Sequence, residues 1–452
     1  MLKKIIFILG VFACPQKLIA QSWQTIGPQG FSPPVTQYSL TSFAIDHAGL
    51  LYVAFSNAAD SDKITVMKYD GTSWIVVGNT AVSSAAGYDV SIAIDSDNFP
   101  FVAYGDTYNA YKATVKKFDG NSWINVGTPG FSDGSVNNCT IKLDAYDSIY
   151  VSYVDAFYTS KAVVKKFNGV TWDNLGTPGF SAGGAGQMTM ALNNNNLPYV
   201  AFQDQAAGFM SRAMMFDGTN WVNVGANTFS SGSCQFNHIT FDNTGTIPYV
   251  CYNDGSNPFA PNVKAWDGST WVYIGGQSIN NFQDYQNNIA LDRNNVPCVI
   301  FPDGSQSGRA SVMYYNGSAW VYAGNAGFSA GEIWYPNILT DSLNDTYAEY
   351  YDVADSNKIS VMKLATGTSV SGVTNSDGFS VFPNPAADKI NFRFYETGKY
   401  YLQVYNYLGK EIYTRESVLN KLTLDVSSWM KGVYFVKATE NKKIIYRKII
   451  IQ

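Results

Sequence analysis

Seven tryptophans, each opening the same short phrase at a nearly constant interval, limit this chain to a repeat architecture. They are Trp23 (SWQTIG), Trp74 (SWIVVG), Trp123 (SWINVG), Trp172 (TWDNLG), Trp221 (NWVNVG), Trp271 (TWVYIG) and Trp320 (AWVYAG). The steps between them are 51, 49, 49, 49, 50 and 49 residues. Such a period marks units that cannot bury their apolar faces alone and must stack on their neighbours.

Residues 91–127 display one unit: SIAID, the turn SDNFP, FVAYGD, ATVKKF closed by Asp119-Gly120, then SWINVG. Each apolar run alternates as a strand does. Asp-Gly or Asn-Gly between two such runs predicts a two-residue hairpin with a type I′ turn. The dipeptide recurs as Asp70-Gly71, Asp119-Gly120, Asn168-Gly169, Asp217-Gly218, Asp267-Gly268 and Asn316-Gly317. Four antiparallel strands per unit at this period predict the blades of a β-propeller. The innermost strand carries an apolar column, Phe43, Ile92, Ile141, Met190, Ile239, Ile289 and Ile338. The column one residue on is small at Ala44, Ala93, Ala191 and Ala290 and is broken by Lys142.

The ends of the array complete the reading. No strands precede the phrase at Trp23, and the last unit, Asn337 to Leu364, lacks a tryptophan phrase. Residues 22–27 therefore supply the missing outer strand, and the prediction is an all-β, seven-bladed β-propeller closed by its N-terminal strand. A solenoid would need capping repeats at its ends. Composition agrees: of 452 residues 15% are aromatic, 14% are charged and 39 are glycine. With 46% hydrophobic residues the chain can bury a large core.

The predicted domains are a signal peptide over 1–20, the propeller over 21–366, a linker over 367–376 and a second domain over 377–452. Lys3 and Lys4 precede a short apolar run from Ile5 to Ala13, with a cleavage site after Ala20. Cys14 raises lipoprotein processing as an alternative, although Phe12 fits that signal poorly. No segment reads as transmembrane. From Thr374 onward the chain holds 12 basic and 7 acidic residues, against 18 and 28 before it. An acidic body argues against nucleic acid as a partner. Cys139, Cys234, Cys251 and Cys298 read as buried free thiols rather than a disulfide framework or a metal site.

The last 75 or so residues read as short alternating strands, INFRF, YLQVYN, LTLDV, GVYFVKA and KKIIYRKIII, which suggests a small β-sandwich. Pro383, Asn384 and Pro385 form a PNP opening, LDVSSWMKGVYFVKA contains Gly432 and Tyr434, and the terminal strand is basic. This region resembles the type A C-terminal sorting domain carried by cargo of the type IX secretion system. The resemblance implies an immunoglobulin-like fold and interaction with that machinery. It further implies passage across an outer membrane, with a secreted or cell-surface product.

Loop lengths constrain where chemistry sits. From each phrase tryptophan to the turn after the next inner strand is 21 residues in six repeats and 23 in the first. From strand two to the hairpin glycine is 14 residues in six repeats. Loops are where function is usually added, and none has grown here. An acidic column, Asn57, Asp106, Asp155, Asp204, Asp254, Asp303 and Asp352, could suggest calcium sites or paired acids. A basic column lies six residues later: Lys63, Lys112, Lys161, Met210, Ala260, Arg309 and Lys358. The simpler reading is a cross-strand ion pair or a turn hydrogen bond. With only His47 and His238 in the chain, no metal cluster, cofactor or catalytic triad is predicted. The D-G-x-x-W phrase departs from the sialidase Asp box, because Asp and Gly are adjacent.

The polar column Ser42, Ser91, Thr140, Thr189, His238, Asn288 and Asn337 reads as lining a water-filled axial tunnel, or alternatively as a ligand-contacting rim. The predicted ligand-binding residues on that rim are Tyr88, Asp89, Gln187, His238, Tyr285, Trp334 and Tyr335. Tyr108, Tyr111, Phe157, Tyr158, Phe209 and Phe259, between strands two and three, should share the face. Aromatic rings with amides and carboxylates suit sugar or peptide recognition. Phe31, Phe131, Phe180, Phe229 and Phe328 read as packing residues. The expected function is a non-enzymatic binding or adhesion module for glycan or protein. The alternatives are a secreted polysaccharide hydrolase or lyase using carboxylates such as Asp89, and a purely structural surface component.

Overall fold

A computed structural model describes residues 21–365, apart from 38, 258, 281 and 285, and residues 379–451, apart from 385, 395–398, 407–409, 419–420 and 441–442. The expected signal peptide and linker lie outside the described residues. The chain divides into two compact units, Met1–Thr368 and Ser369–Gln452.

Among the described residues the first unit is all-β and shows seven four-stranded antiparallel sheets consistent with propeller blades. Six are built from consecutive strands. The seventh joins Ile333–Thr340, Thr346–Asp352 and Lys358–Ala365 to Ser22–Thr25, with Trp23 opposite Leu364. Innermost strands of successive units touch, and Ser42–Ile45 touches Ile333–Thr340. Strand two is buried on both faces in nearly every unit, as in Pro100–Asp106 and Ile149–Asp155. Its continuous apolar run follows from being a central strand sandwiched between neighbouring sheets.

The tryptophan phrase is a lock between units. Each indole N–H donates to the carbonyl three residues after the tryptophan of the preceding phrase. Trp74 reaches Ile26, Trp123 reaches Val77, Trp172 reaches Val126 and Trp221 reaches Leu175, at 2.7–3.2 Å. Trp271 reaches Val224, Trp320 reaches Ile274 and Trp23 reaches Ala323, at 2.8–2.9 Å. The seven bonds form a cycle. The recurring phenylalanines pack as expected: Phe31, Phe131, Phe180 and Phe328 stack on Trp74, Trp172, Trp221 and Trp23 at 4.0–4.4 Å.

In six of the seven phrases the closing glycine lies against that indole. Gly275 has φ +73°, and a Cβ there would lie 2.6 Å from Trp320 Nε1. Its neighbour Gly276 has φ +94° with open space around it. Gly275→Ala is expected to destabilise the unit by about 2–4 kcal/mol, adding a steric clash to left-handed strain. Gly276→Ala should lose only the strain, about 1–2 kcal/mol. Urea denaturation of the two variants side by side measures the difference.

The hairpins differ from expectation. The register pairs Tyr69 with Trp74, so four residues form the connection rather than two. Gly71 is left-handed at φ +101°, whereas Asp70 is not among the positive-φ residues. The reason is the Asp70 side chain, whose Oδ1 accepts from the amides of Thr72 and Ser73, both at 2.8 Å. That local cap replaces the type I′ geometry.

The second unit contains a three-stranded sheet of Phe379–Phe382, Lys389–Phe394 and Lys421–Asp425. A four-stranded sheet joins Glu411–Val418, Tyr400–Asn406, Gly432–Glu440 and Lys443–Ile451. Both sheets contribute to one apolar core, including Phe392, Phe394, Leu402, Val404, Val436 and Ile449.

Candidate functional site

Inner strands of five units open with a bulge, where the register shifts, for example between Tyr88 and Ser91. The bulged residue is left-handed: Asp89, Asn138, Gln187, Phe236 and Tyr335 have φ between 45° and 54°. Non-glycine residues in this region carry about 1–2 kcal/mol of strain, and hydrogen bonds to the next unit offset it. Asp89 Oδ2 accepts from the Asn138 amide at 2.6 Å, and Asn138 Oδ1 accepts from the Gln187 amide at 3.0 Å. Gln187 Oε1 accepts from Phe236 N at 2.5 Å, and Gln286 Oε1 accepts from Tyr335 N. Burial pushes the Asp89 carboxyl above its ordinary range, with the Asn138 amide opposing.

Among the described residues, the predicted site residues make separate contacts and do not converge on one site. The acceptor oxygens of Asp89 and Gln187 brace adjacent units. The Tyr88 hydroxyl lies 2.9 Å from the carbonyl oxygens of both Tyr111 and Val136, and its ring covers Gly105. Trp334 and Tyr335 are half-buried and pack against the cluster of Val53, Phe55 and Tyr351, where the first and last sheets meet. Tyr285 lies outside the described residues. His238 faces the axial cavity.

The acidic column serves the turns. Every member accepts from the amide two residues on, as Asp106 does from Tyr108 and Asp155 from Phe157; six of them thereby cap a short 3-10 turn, and Asp254 caps an ordinary turn at Ser256. The spare oxygens also find partners. Asp352 holds the amides of Ala330 and Gly331, and Asp204 pairs with Arg212 at 2.7 Å. Asp106 and Lys112 are register partners, but the carboxylate bonds Asn109 and Thr114. Among the described residues, no group of three or more His, Cys, Asp or Glu could hold a metal ion. Cys139, Cys234, Cys251 and Cys298 are free and buried.

The turns between strands two and three do meet the segments preceding the inner strands. Thr107 N bonds Ala86 O, Ala156 N bonds Ser135 O, and Gln205 N bonds Gly184 O. On this shared face the rings of Tyr108, Tyr111, Phe157 and Phe209 are 75%, 55%, 68% and 47% exposed. They belong to three consecutive units. Rings this open stand out against the recurring phenylalanines that pack beneath the tryptophans.

A polar cavity of about 490 Å³ follows the inner strands through all seven units. Its hydroxyl groups tie the units together: Ser42, Ser91 and Thr189 accept from the amides of Ile92, Ile141 and Ile239, each at 3.1 Å. Asn288 donates to Asn337 at 3.0 Å. Three buried or enclosed ionisable groups were not singled out by sequence as chemistry: Lys142, Asp284 and Glu349. Asp284 accepts from Gly304 N at 2.9 Å and from Asn280 at 2.6 Å, and burial pushes its carboxyl up to about 7.

In the tail, Asn384 Oδ1 accepts from Ile450 N at 2.8 Å, so the PNP segment is tied to the last strand. The Tyr434 hydroxyl donates to Met430 O at 2.7 Å, and Gly432 is left-handed at φ +149°. Pro383 follows a cis peptide bond, and Pro385 lies outside the described residues.

Residues 380–452 match the family described as the secretion system C-terminal sorting domain. The chain is thus an exported protein, bound for the cell surface or for secretion through a type IX system. No helix among the described residues is long and apolar enough to cross a membrane. No curated protein matches this sequence. Among solved structures it is similar to PorZ of Porphyromonas gingivalis, described as an essential bacterial surface component of the type IX secretion system. That similarity has 15% identity and a TM-score of 0.47, and it covers 93% of this chain but 60% of PorZ. A fungal alcohol oxidase of the AA5 family, in complex with copper, aligns at 11% identity and TM-score 0.51 over 96% of this chain and 100% of its own. A polysaccharide lyase of family PL25, an ulvan lyase, aligns at 13% identity and TM-score 0.49 over 75% and 94%. At such identities the oxidase likeness concerns the fold alone.

Proposed function

We propose that the chain is an exported binding module: a seven-bladed β-propeller over residues 21–366, closed by Ser22–Thr25, that engages a polymeric glycan. An immunoglobulin-like sandwich over 377–452 presents it to the type IX machinery, and residues 1–20 act as its signal peptide. The tryptophan cycle and the contact of first with last inner strands support the closed ring. The two sheets around one core support the sandwich.

The observation that carries the binding reading is the run of exposed rings, Tyr108, Tyr111, Phe157 and Phe209, at matching turns of three consecutive units. Repeated weak contacts on adjacent blades suit a repeating polymer, because linked sites gain by avidity. A cleaving enzyme would draw on Asp89 or Asp284. Both carboxyl groups hold backbone amides of neighbouring segments, which favours binding over catalysis.

A glycan array probed with the mature chain tests this. Tyr108→Ala and Phe157→Ala should each weaken retention about tenfold, equivalent to 1.4 kcal/mol, with unchanged melting temperature. Equal retention by both variants would sink the aromatic site. Release of sugar from mixed polysaccharides would favour the hydrolase or lyase reading. Neither binding nor release would favour a protein ligand or a structural role.

A further inference from the structure

The axial cavity has a charge character opposite to that of the molecule around it. The first unit is acidic, with 28 acidic and 18 basic residues before Thr374. Yet among the described residues no Asp or Glu lines the cavity, and its lining includes Lys142 and His238. Lys142 replaces the small residue found in the matching column at Ala44, Ala93, Ala191 and Ala290. It lies two residues beyond Thr140 on the same strand face, directed at the axis. Its side chain is exposed to the cavity that the surrounding strands enclose.

Groups on the surrounding strands leave this ammonium without a carboxylate. The strand Gly87–Ile94 carries Asp89, which holds the Asn138 amide. The strand Ile149–Asp155 carries Asp155, which caps its turn at Phe157 N. Ala185–Leu192 offers no titratable side chain, and Cys234–Phe241 offers His238 and the buried Cys234. On the Lys142 strand itself, Cys139 is a buried thiol whose pKa burial pushes well up. No salt bridge of Lys142 is present among the described residues.

The geometry points to an anion-binding site in the axial channel, in which Lys142 and His238 hold the carboxylate or sulfate of a sugar-sized ligand. The Ser42 and Ser91 oxygens accept backbone amides, so their own O–H groups remain to donate. The cavity volume falls within the range of small-molecule sites, about 300–1,000 Å³. Burial, helped by the Lys142 charge, holds His238 down to about 4, so the imidazole is neutral near pH 7 and can donate one N–H. This site is separate from the exposed rings, and neither depends on the other.

The two histidines make the test direct, because His47 lines not this cavity but an adjoining pocket beside Arg293, and so reports any anion bound there separately. Imidazole NMR on the full mature chain would follow both rings at about pH 5. Acetate, glucuronate and inorganic sulfate are added separately, with ionic strength held by sodium chloride. An anion beside Lys142 should raise the His238 pKa by roughly one unit, from about one tenth protonated to about one half. His47 should not respond. Response to the carboxylates alone, or to sulfate alone, identifies the anion class. Lys142→Met should abolish the response, and Lys142→Arg should retain it. No His238 response to any of the three anions overturns the site. So does an undiminished response in Lys142→Met, or a folded Lys142→Arg protein that has lost it.

Discussion

Trp23→Ala is expected to destabilise the N-terminal unit by about 3–5 kcal/mol, as much as Trp172→Ala. The two residues are chemically matched. Each is 8% exposed. Trp23 stacks on Phe328 at 4.4 Å and donates to Ala323 at 2.8 Å; Trp172 stacks on Phe131 at 4.3 Å and donates to Val126 at 3.0 Å. They differ in sequence alone: one bond spans 300 residues, the other 46. In an open array the terminal strand would fray by itself, and Trp23→Ala would leave global unfolding nearly unchanged. In a closed ring both substitutions break one of seven equivalent seams. Comparing the urea midpoints and slopes of the two variants with the parent separates these cases. A Trp23→Ala midpoint equal to that of the parent would refute closure.

That seam also marks where sequence reading succeeds and where it stops. The strands, the outer-strand role expected of residues 22–27 (observed over Ser22–Thr25) and the packing of the recurring phenylalanines are legible because each is local or strictly periodic. The partner of each tryptophan is not, since hydrogen bonding across units leaves no trace in local alternation. Asp89 and Gln187 illustrate the same limit. Read singly they are polar rim residues; read together with Asn138 they recur at 49-residue steps and each offers a carbonyl oxygen, which is the signature of a brace. The Asp-Gly signal predicts the wrong turn because a side-chain cap from Asp70 competes with backbone turn geometry. Lys142 is visible as a break in a small-residue column, and the structure adds that it faces an enclosed channel with no Asp or Glu among its described lining residues. Glu349 was missed although it breaks a column too: the matching positions are Ala54, Ala103, Ser152, Ala201, Cys251 and Ile300.

Glu349→Gln is expected to stabilise the N-terminal unit at alkaline pH while changing little below about pH 4.5. Glu349 is fully buried beside the junction of the first and last sheets. Its Oε2 accepts from Asn337 Nδ2 at 2.7 Å and from the Thr41 hydroxyl at 3.1 Å, whereas buried Oε1 has no hydrogen-bond partner among the described residues. Burial pushes the carboxyl up from 4.5 to about 8, with the Asn337 and Thr41 bonds opposing. Between those values the folded chain retains a proton that the unfolded chain has lost. Stability from this group is therefore complete below the unfolded pKa and declines as pH rises through the folded one, by on the order of 5 kcal/mol in all. Glutamine presents the same neutral shape without a proton to lose, so its curve should lie flat over that window relative to the parent. Asp284 titrates in the same direction, which is why the difference between parent and variant, rather than either curve, reports Glu349. Urea midpoints at about pH 5 and pH 9 give that difference. A gap that does not widen with pH would mean that Glu349 is ionised in the folded chain. The first and last sheets would then meet over a buried charge, where a neutral carboxylic acid is expected.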